Sequence, residues 1–378
     1  MNSFLNFARL VNIAVILARH DALFLLDHLG LGSAPRILSR IVLPGPRRGT
    51  RKLRKGQKLV NALQELGPSF IKFGQSWSTR SDLIGEETAK DLAQLRDRLP
   101  PFDTKEVYKL IEDAFGKSVE ELFESFDAIP IAAASIAQVH LAITAGGDEV
   151  AVKVLRPGIE AAFRRDIRLF MWLAQIVDST QPYANRLKPM EIVKKFEETC
   201  TREMDLSLEA AAASELGQNF LDDDYYHVPT INWELTSTRI LTLERINGLN
   251  LGDVNAIVEA GIDRSKLVEN LLKAFLLQVF RDGFFHADMH PGNLFTDSTG
   301  RVLAVDFGIM GRVDAKTRLY LAELMLAFLT RDYRKAAEVH FEAGYVPKDQ
   351  SLDEFAQSCR AIGESVLGRS ASEVSIAR

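Results

Sequence analysis

The sequence predicts an α+β fold with two lobes, and three observations support this. The chain has 378 residues, 47% hydrophobic and 26% charged, which is large enough for two substantial cores. The stretch Glu149–Leu155 reads as a buried strand with one lysine in it. Residues 284–308 read FFHADMHPGNLFTDSTGRVLAVDFG, in which polar residues separate short β-forming runs. The remaining segments are mostly helical in composition, so we expect a small β-rich lobe and a large helical lobe.

Residues 284–308 contain the residue types and the spacing that phosphoryl transfer requires. Asn293 follows Asp288 by five positions, and Asp306 follows thirteen positions later in an Asp-Phe-Gly triplet. Asp288 suits the carboxylate that orients or deprotonates a nucleophile, and Asn293 and Asp306 suit the hard oxygen ligands of Mg²⁺. This order is typical of the catalytic loop and metal-binding turn of a bilobal protein-kinase-like fold. The alternative is a purely structural hairpin, and a kinase-like fold has a hairpin at the same place.

Lys153 is the second candidate catalytic residue. It lies in the run Val150-Ala151-Val152-Lys153, and a lysine inside an apolar strand is unfavourable unless it is paired. The expected partners are the α- and β-phosphates of ATP and a glutamate on a helix. The alternative is a lysine at the end of a strand whose ammonium group reaches water.

An alanine-rich run stands where a kinase would have a glycine-rich loop. The predicted nucleotide-binding residues of this run are Ile131, Ala132, Ala133, Ala134, Ser135, Ile136, Ala137, Gln138 and Val139. Alanine adopts positive φ less easily than glycine, so this loop should be stiffer. Propensity alone favours a helix here, whereas the β-branched residues and Gly146-Gly147 favour a hairpin that leads into the Lys153 strand.

Two other segments could complete a nucleotide site. Residues 243–248 lie where a hinge to adenine is expected, with Glu244 and Ile246 as candidate contacts. Residues 191–217 are helical in composition and contain Glu203, Asp205 and Glu209. On a straight helix Glu203 and Asp205 point about 200° apart, so the three acids are not expected to serve one ligand. For any one of them a solvated helix face is the simpler explanation.

These motifs, together with Lys72-Phe73-Gly74-Gln75, resemble the UbiB family of aarF-domain or ADCK-type atypical kinase-like proteins. Lys72 and Gln75 resemble its K-x-G-Q signature, and Glu203 and Asp205 resemble its E-x-D motif. The resemblance implies that Glu209 pairs with Lys153 and that the alanine-rich run replaces the glycine-rich loop. It extends over residues 1–345 and implies ATP and Mg²⁺ as cofactors.

The family resemblance also suggests a function. Bacterial members support ubiquinone biosynthesis at the membrane, so an atypical kinase-like ATPase or phosphotransferase is expected. The alternative is an ATP-gated binding protein that extracts or presents prenylated quinone intermediates without phosphotransfer. Protein phosphorylation is the least favoured activity, because no A-P-E motif follows Gly308 and a helix is predicted from Thr317. The expected partners are a prenylated quinone precursor or other lipid and other ubiquinone-biosynthesis proteins.

A basic segment indicates a further partner. Residues 36–58 carry nine Lys or Arg and no acid, although the whole chain has a net charge of −5. The preceding apolar runs, 10–18 and 22–26, are shorter than the about 18–20 residues that cross a bilayer. We therefore expect a peripheral protein on an anionic membrane surface, at the cytoplasmic face of the bacterial inner membrane. Nucleic acid is not expected as a partner, because aromatic residues are not interleaved through the basic run.

The predicted layout has three parts. Residues 1–130 form a helical extension, 131–245 a small lobe with a helical insert at 158–190, and 249–378 a large helical lobe. Strands are expected near 139–144, 150–155, 228–233 and 239–244. Cys200 and Cys359 predict neither a disulfide framework nor a zinc site. Family members commonly continue into hydrophobic C-terminal helices, so a sequence ending at Arg378 is expected to be a shortened chain or a short member.

Overall fold

The computed structural model describes residues 2–24, 45–47, 49–78, 81–93, 95, 99–180 and 188–366. The chain divides into two compact units. The first contains residues 1–211 and 230–245, and the second contains 212–229 and 246–378. Both helices and sheets are present, as the α+β class requires. The division into three parts made from the sequence stays a prediction.

The first unit contains nine complete helices and the first part of a tenth within the described residues. They are α1 (Asn2–Arg19), α2 (Lys55–Leu66), α3 (Pro68–Ser78), α4 (Ser81–Ile84), α5 (Glu86–Leu92), α6 (Thr104–Phe115), α7 (Val119–Leu122), α8 (Ile159–Thr180), α9 (Pro189–Glu203) and α10 (Leu206–Asn219). Its strands are β1 (Phe123–Phe126), β2 (Ala132–Ala133), β3 (Ala137–Thr144), β4 (Glu149–Leu155) and β6 (Ile240–Glu244). Residues 212–219 of α10 belong to the second unit.

The sheet of the first unit is antiparallel with the order β1-β3-β4-β6, and β2 adds to β3. Its two faces differ because side chains alternate along a strand. Val150, Val152 and Val154 are buried in one core cluster with Val107 and Ile111 of α6. Lys153 lies on the opposite face. The predicted hairpin leading into the Lys153 strand is confirmed by the pairing of β3 with β4.

One predicted strand, which begins in the second unit and ends in the first, was wrong. Residues 228–233 were expected to be extended, but they contain only an isolated bridge at Ile231 and the start of a 3₁₀ turn, Trp233–Leu235. Asn232 accepts a hydrogen bond from the Leu235 N–H (3.1 Å) and so begins this turn. Pro229 has no N–H to donate to a ladder, which further disfavours a strand.

The helix predicted over 191–217 was also wrong in one respect. It is two helices, because α9 ends at Glu203 and α10 begins at Leu206. The Leu206 N–H donates to the Thr238 carbonyl (2.9 Å) instead of continuing α9. Asp205 accepts from the Ser207 N–H (3.1 Å), which is the contact of an N-cap residue.

The second unit contains two small sheets and five further helices within the described residues. Its strands are β5 (Tyr226–His227), β7 (Leu249–Asn250), β8 (Phe284–His286), β9 (Leu294–Thr296), β10 (Val302–Ala304) and β11 (Met310–Arg312). Its helices are α11 (Val254–Glu259), α12 (Arg264–Leu277), α13 (Ala315–Leu329), α14 (Tyr333–Glu342) and α15 (Leu352–Val366). The sheet orders are β5-β10-β9-β7 and β11-β8. The predicted hairpin is confirmed by the antiparallel pairing of β9 with β10.

Helix α1 contributes to the core of the first unit. Ile13, Ile16 and Leu17 are buried in the same cluster as Leu59 and Ile71. These apolar positions of the N-terminal run therefore pack against protein, and any membrane contact by this run rests on other positions. No helix in the described ranges is long and apolar enough to cross a bilayer.

Candidate functional site

The structure brings Lys153 and Glu209 together in the first unit. The Lys153 ammonium group lies 2.8 Å from both carboxylate oxygens of Glu209. Both side chains are largely buried, at 15% and 7% exposure. Glu209 lies in the first turn of α10, where the helix dipole favours a negative charge. The resemblance had implied this lysine–glutamate pair, and the structure has it; the catalytic role of Lys153 stays a prediction.

Because α9 and α10 are separate helices, the three acids Glu203, Asp205 and Glu209 contact different partners. Glu203, at the end of α9, lies 3.0 Å from the Lys72 ammonium group. Asp205 begins α10 through its bond to the Ser207 N–H. Each acid therefore has its own partner, which agrees with the expectation that they do not share one ligand. An Asp followed by a helical run is a start signal, and it could have located this break in the sequence.

Helix α3 carries the K-x-G-Q motif and is held by aromatic and close contacts. The Phe73 ring lies 5.0 Å from the Phe170 ring and 5.5 Å from the Phe196 ring. A Cβ at Gly74 would lie 2.6 Å from terminal carbons of both Leu63 and Leu95, so a larger residue would displace them. The next residue, Gln75, donates from Nε2 to the Leu95 carbonyl (3.3 Å).

The tip of the alanine-rich loop is buried. Ala132 and Ala133 pair with Val139 and Gln138 of β3. Ser135 is fully buried, and Ile136 and Ala137 are nearly so. Ile131, before the loop, is 60% exposed. The predicted nucleotide contacts of this run stay predictions, but its backbone geometry is that of a closed hairpin.

Gln138 uses its side chain within the protein. Its Oε1 accepts from the Phe102 N–H (3.0 Å), and its Nε2 lies 2.9 Å from His140 Nε2. Burial lowers the pKa of His140, which favours the neutral ring. The neutral ring can then accept from Gln138 and donate through Nδ1 to the Asp127 carbonyl (2.7 Å). A nucleotide contact at Gln138 would therefore involve its backbone.

Sequence reasoning missed Arg156. Its guanidinium donates through Nε to the Ala134 carbonyl (2.9 Å) and through Nη2 to the Pro100 carbonyl (3.0 Å). Its backbone N–H donates to the Ile136 carbonyl (2.8 Å). The only signal in the sequence was the position of Arg156, just after the Lys153 strand and just before a proline. Such a position predicts the end of a strand, but it does not indicate what the side chain contacts.

The catalytic-loop candidates lie together in the second unit. His286 Nε2 lies 3.2 Å from the Val305 carbonyl, and its Nδ1 accepts from the Asp288 N–H (3.1 Å). Asn293 donates from Nδ2 to the Asp288 carbonyl (3.1 Å). His286 thus links Asp288 to the residue just before Asp306. Gln278 fixes His286 in turn, through Oε1 and the His286 N–H (2.8 Å).

Asp306 has an unusual backbone. Its φ is +62°, in the left-handed region, which non-glycine residues adopt rarely and in which Asn and Asp are enriched. The next residue, Phe307, is buried, and its ring lies 5.6 Å from the His286 ring. Left-handed non-glycine residues cluster at functional sites, because only the surrounding structure maintains them. The maintained backbone conformation fixes the direction of the Asp306 carboxylate, which supports a functional role for this residue.

The candidate donor set fits Mg²⁺ in chemical type. Asp306 offers a carboxylate, and Asn293 offers its amide oxygen because its amide nitrogen is bound to Asp288. No cluster of three or more His, Cys, Asp or Glu able to hold a metal occurs among the described residues. A Mg²⁺ ion here would therefore depend on phosphate and water for its remaining ligands, as is usual for this metal. Both residues stay predicted ligands.

The candidate adenine contacts lie in different units. Glu244 ends β6 in the first unit, and its carboxylate accepts from the Thr230 N–H (3.0 Å). Ile246 belongs to the second unit, which resumes at this residue after Arg245 of the first unit. The role of both residues in binding adenine stays a prediction.

The basic segment is only partly described, since 36–44 and 48 lie outside the described residues. Several of its described members have acidic partners. Arg47 binds Glu65 through two bonds of 2.8 and 3.2 Å, Arg54 binds the buried Asp91, and Lys58 binds Asp21 (2.7 Å). A hydrogen bond from His20, with a smaller contribution from Arg47, holds the pKa of the Glu65 carboxyl below its usual value. Lys52 and Lys55 are exposed.

Comparison with known proteins places the chain in a family. Residues 94–340 match the ABC1 atypical kinase-like domain. A protein of Marinobacter nauticus named "Probable protein kinase UbiB" is 42% identical over 328 residues, which cover 86% of this chain and 60% of that protein. Proteins of the same name from Xylella fastidiosa and Pseudomonas putida are 44% and 41% identical, over 85% and 89% of this chain and 60% and 63% of theirs. The chain thus spans about 60% of the length of these relatives.

The fold also matches a solved structure. The complex of Rv3197 with erythromycin, from Mycobacterium tuberculosis, has a TM-score of 0.59 and 25% identity to this chain. The match covers 79% of this chain and 76% of that one. Together with the match to the ABC1 atypical kinase-like domain, this similarity confirms the predicted kinase-like fold.

Proposed function

Because the chain belongs to the ABC1 atypical kinase-like family, we propose that it is an ATP-dependent phosphotransferase or ATPase that supports membrane ubiquinone biosynthesis. One observation carries the proposal: Lys153 binds both oxygens of Glu209 at 2.8 Å. In kinase-like enzymes this pair holds the lysine on the α- and β-phosphates of ATP. The catalytic-loop geometry of the second unit supports the same activity.

Each candidate residue has a defined task in this reaction. Asp288 orients the attacking hydroxyl or water and takes its proton as the new P–O bond forms and the bond from the γ-phosphorus to the bridging oxygen breaks. His286 and Asn293 hold the Asp288 backbone in place. Bound Mg²⁺, held by Asp306 and Asn293, would neutralise charge on the phosphates. The products are ADP and either a phosphorylated acceptor or inorganic phosphate.

The chain provides little for docking a peptide acceptor. Gly308 is followed by β11 and then by α13, which starts at Ala315 with Asp314 as its N-cap. This short connection leaves no room for the long segment on which protein kinases bind peptides. A small molecule, a lipid or water is therefore the favoured acceptor.

A direct test follows the γ-phosphate of ATP. Purified protein is incubated with ATP and Mg²⁺ in membranes that contain quinone precursors, and phosphorus NMR and mass spectrometry locate the phosphate. Transfer to a small molecule or release as phosphate, lost in Asp288→Asn, supports the proposal. Phosphorylation of proteins alone, or no ATP turnover with any membrane, contradicts it.

A binding protein driven by ATP is the second candidate. The Rv3197 structure was solved as a complex with erythromycin, a compound that is not a nucleotide, and this favours small-molecule binding by the fold. In this case hydrolysis would drive the extraction or presentation of a prenylated quinone intermediate. Lipid-stimulated ATP turnover that yields phosphate and no phosphorylated acceptor would favour this function over phosphotransfer.

The alanine-rich loop should influence nucleotide preference more than stability. Changing Ala133 to glycine adds access to positive φ in a loop that now lacks it. We expect the ratio of ATP to ADP affinity to change by about tenfold, with a stability loss of about 1 kcal/mol at most. Calorimetric titration with both nucleotides checks this. Unchanged affinities would show that the loop does not contact the phosphates.

The basic segment should bind anionic membranes. Arg47 and Arg54 are best left unchanged, because their loss would leave Glu65 and the buried Asp91 without these partners. The variant therefore replaces four others by glutamine: Arg48, Arg51, Lys52 and Lys55. Each basic residue contributes about 1 kcal/mol near an anionic surface, so flotation with phosphatidylglycerol vesicles should be lost.

A matched control removes equal charge from exposed positions elsewhere. It replaces Lys105, Lys109, Lys117 and Lys194 by glutamine. The control should float like the wild type, and added salt should weaken flotation of both. Equal flotation of wild type with neutral and anionic vesicles would show that the basic segment is only a solvated surface.

A further inference from the structure

A stiff segment follows the K-x-G-Q helix in the sequence and is joined to the alanine-rich loop through Arg156. Residues 99–102 read Leu-Pro-Pro-Phe. Each proline fixes φ and lacks an N–H, and the residue before a proline is held extended. Few backbone bonds of such a segment can rotate, so the segment is stiff. Leu99 packs against the core cluster of the first unit. We call residues 99–102 the proline strut.

The beginning of this strut lies close in sequence to a contact of the K-x-G-Q helix. Leu95, four residues before Leu99, accepts the hydrogen bond from Gln75 Nε2 (3.3 Å). The space at Gly74 is also filled by Leu95, which is 4% exposed. Leu95 lies in the same core cluster against which Leu99 packs, so a displacement of Gln75 acts on the packing around the first residue of the strut.

Arg156 attaches the strut to the loop. One guanidinium binds the strut at the Pro100 carbonyl (3.0 Å) and the loop at the Ala134 carbonyl (2.9 Å). The same group lies 5.5 Å from the Phe102 ring centroid. A planar guanidinium holds two acceptors in fixed relative positions, which a lysine ammonium does not. The backbone N–H of Arg156 also holds Ile136, on the far side of the loop tip.

Gln138 provides a second attachment. Its fully buried side chain accepts from the Phe102 N–H (3.0 Å) and donates to the Phe102 carbonyl (3.4 Å). The strut is thus attached to β3 at one residue and to the loop tip, through Arg156, at another. The loop cannot change its tip conformation without breaking the Arg156 bonds or moving the strut.

We propose that Arg156 is a positioning residue that couples Gln75 of the K-x-G-Q helix to the alanine-rich loop through the proline strut. The loop conformation then depends on the state of the helical extension. This is regulation of the nucleotide site, so its effect on ATP rests on the proposed function, whereas the coupling itself does not. A ligand or surface that moves the extension would change nucleotide affinity without contacting the nucleotide.

The coupling is tested first without nucleotide. Hydrogen exchange of the amides of residues 132–137 is compared in wild type, Gln75→Ala, Arg156→Gln and the double variant. We expect each single variant to raise exchange by about fivefold, and the double variant to match Arg156→Gln alone, because the second change acts through the first. Independent, multiplicative effects, or no effect of Gln75→Ala on the loop, would overturn the proposal.

A second measurement separates coupling from a loss of fold. Arg156→Lys keeps the charge but binds one carbonyl at a time, so its exchange should lie between wild type and Arg156→Gln. Arg164→Gln, at an exposed position of α8, serves as the matched control and should resemble wild type. If Arg156→Lys equals wild type, the two-carbonyl geometry is not what matters and the proposal fails.

The third measurement connects the coupling to ATP. Calorimetry should show that Arg156→Gln weakens ATP binding by about tenfold and adenosine binding by less than about twofold, because the loop is proposed to contact phosphates. If exchange behaves as expected but wild type binds no ATP, the proposed function fails and the coupling stands. If ATP binds normally to wild type and equally to Arg156→Gln, the coupling does not control the nucleotide site and the inference fails.

Discussion

Replacing Lys153 by methionine is expected to abolish ATP turnover and to lower the free energy of unfolding by about 3–5 kcal/mol. The reason is that Glu209, 7% exposed and bound through both oxygens, would remain as a buried charge without this partner. Steady-state ADP release and urea unfolding monitored by circular dichroism measure the two effects. Retained turnover would remove Lys153 from the mechanism.

A double variant separates the two roles of this pair. Replacing both partners, as Lys153→Met with Glu209→Leu, removes both charges and fills the space with apolar atoms. Stability should return to within about 1 kcal/mol of wild type, but turnover should stay absent because the phosphates have lost their lysine. Recovered turnover in the double variant would contradict a catalytic role for the pair.

Replacing Asp306 by asparagine is expected to abolish Mg²⁺-dependent ATP binding and to leave the fold intact. Asparagine tolerates the left-handed conformation that Asp306 adopts at φ +62°, so the backbone should not change. The lost carboxylate removes the one strong, charged ligand of the proposed metal. In wild type, ATP and Mg²⁺ at about a hundred times the Kd should stabilise the protein by about 2.7 kcal/mol, and the variant should show none of this.

Thermal unfolding with and without ATP, Mg²⁺ and both together measures this effect. Asp349→Asn, at an exposed position of the same unit, is the control for loss of an acidic charge. An Asp306→Asn protein stabilised by Mg²⁺ and ATP as strongly as wild type would show that the metal is held elsewhere.

The sequence predicted the parts of the fold whose chemistry is local. The Lys153 strand, its hairpin partner and the hairpin after Asn293 follow from short residue patterns, and the structure has them. The resemblance supplied Glu209, which composition alone would have treated as a solvated acid. The order of motifs along the chain was therefore enough to identify the fold.

The errors arose where tertiary contacts override local propensity. Residues 191–217 have helical composition throughout, but Asp205 accepts from Ser207 and Leu206 donates to Thr238, so the helix stops and restarts. Residues 228–233 have strand-like side chains, but Asn232 begins a 3₁₀ turn. Arg156 was missed because its partners are backbone carbonyls, which leave no trace in the sequence.

The chain passes between its two units three times, after Ala211, Pro229 and Arg245, and this limits how the protein can be divided. A fragment beginning at residue 246 would lack β5, the parallel neighbour of β10, and would lose the buried Tyr226. It would also lose Asp223, the partner of Arg281 (2.8 Å). A peptide of residues 212–229 would have to bind the fragment in trans to restore these contacts. Because each unit is built from two separate stretches of the chain, no single cut divides the protein into its two units. The units can be studied separately only by fragment complementation, in which the missing stretch is supplied as a second peptide.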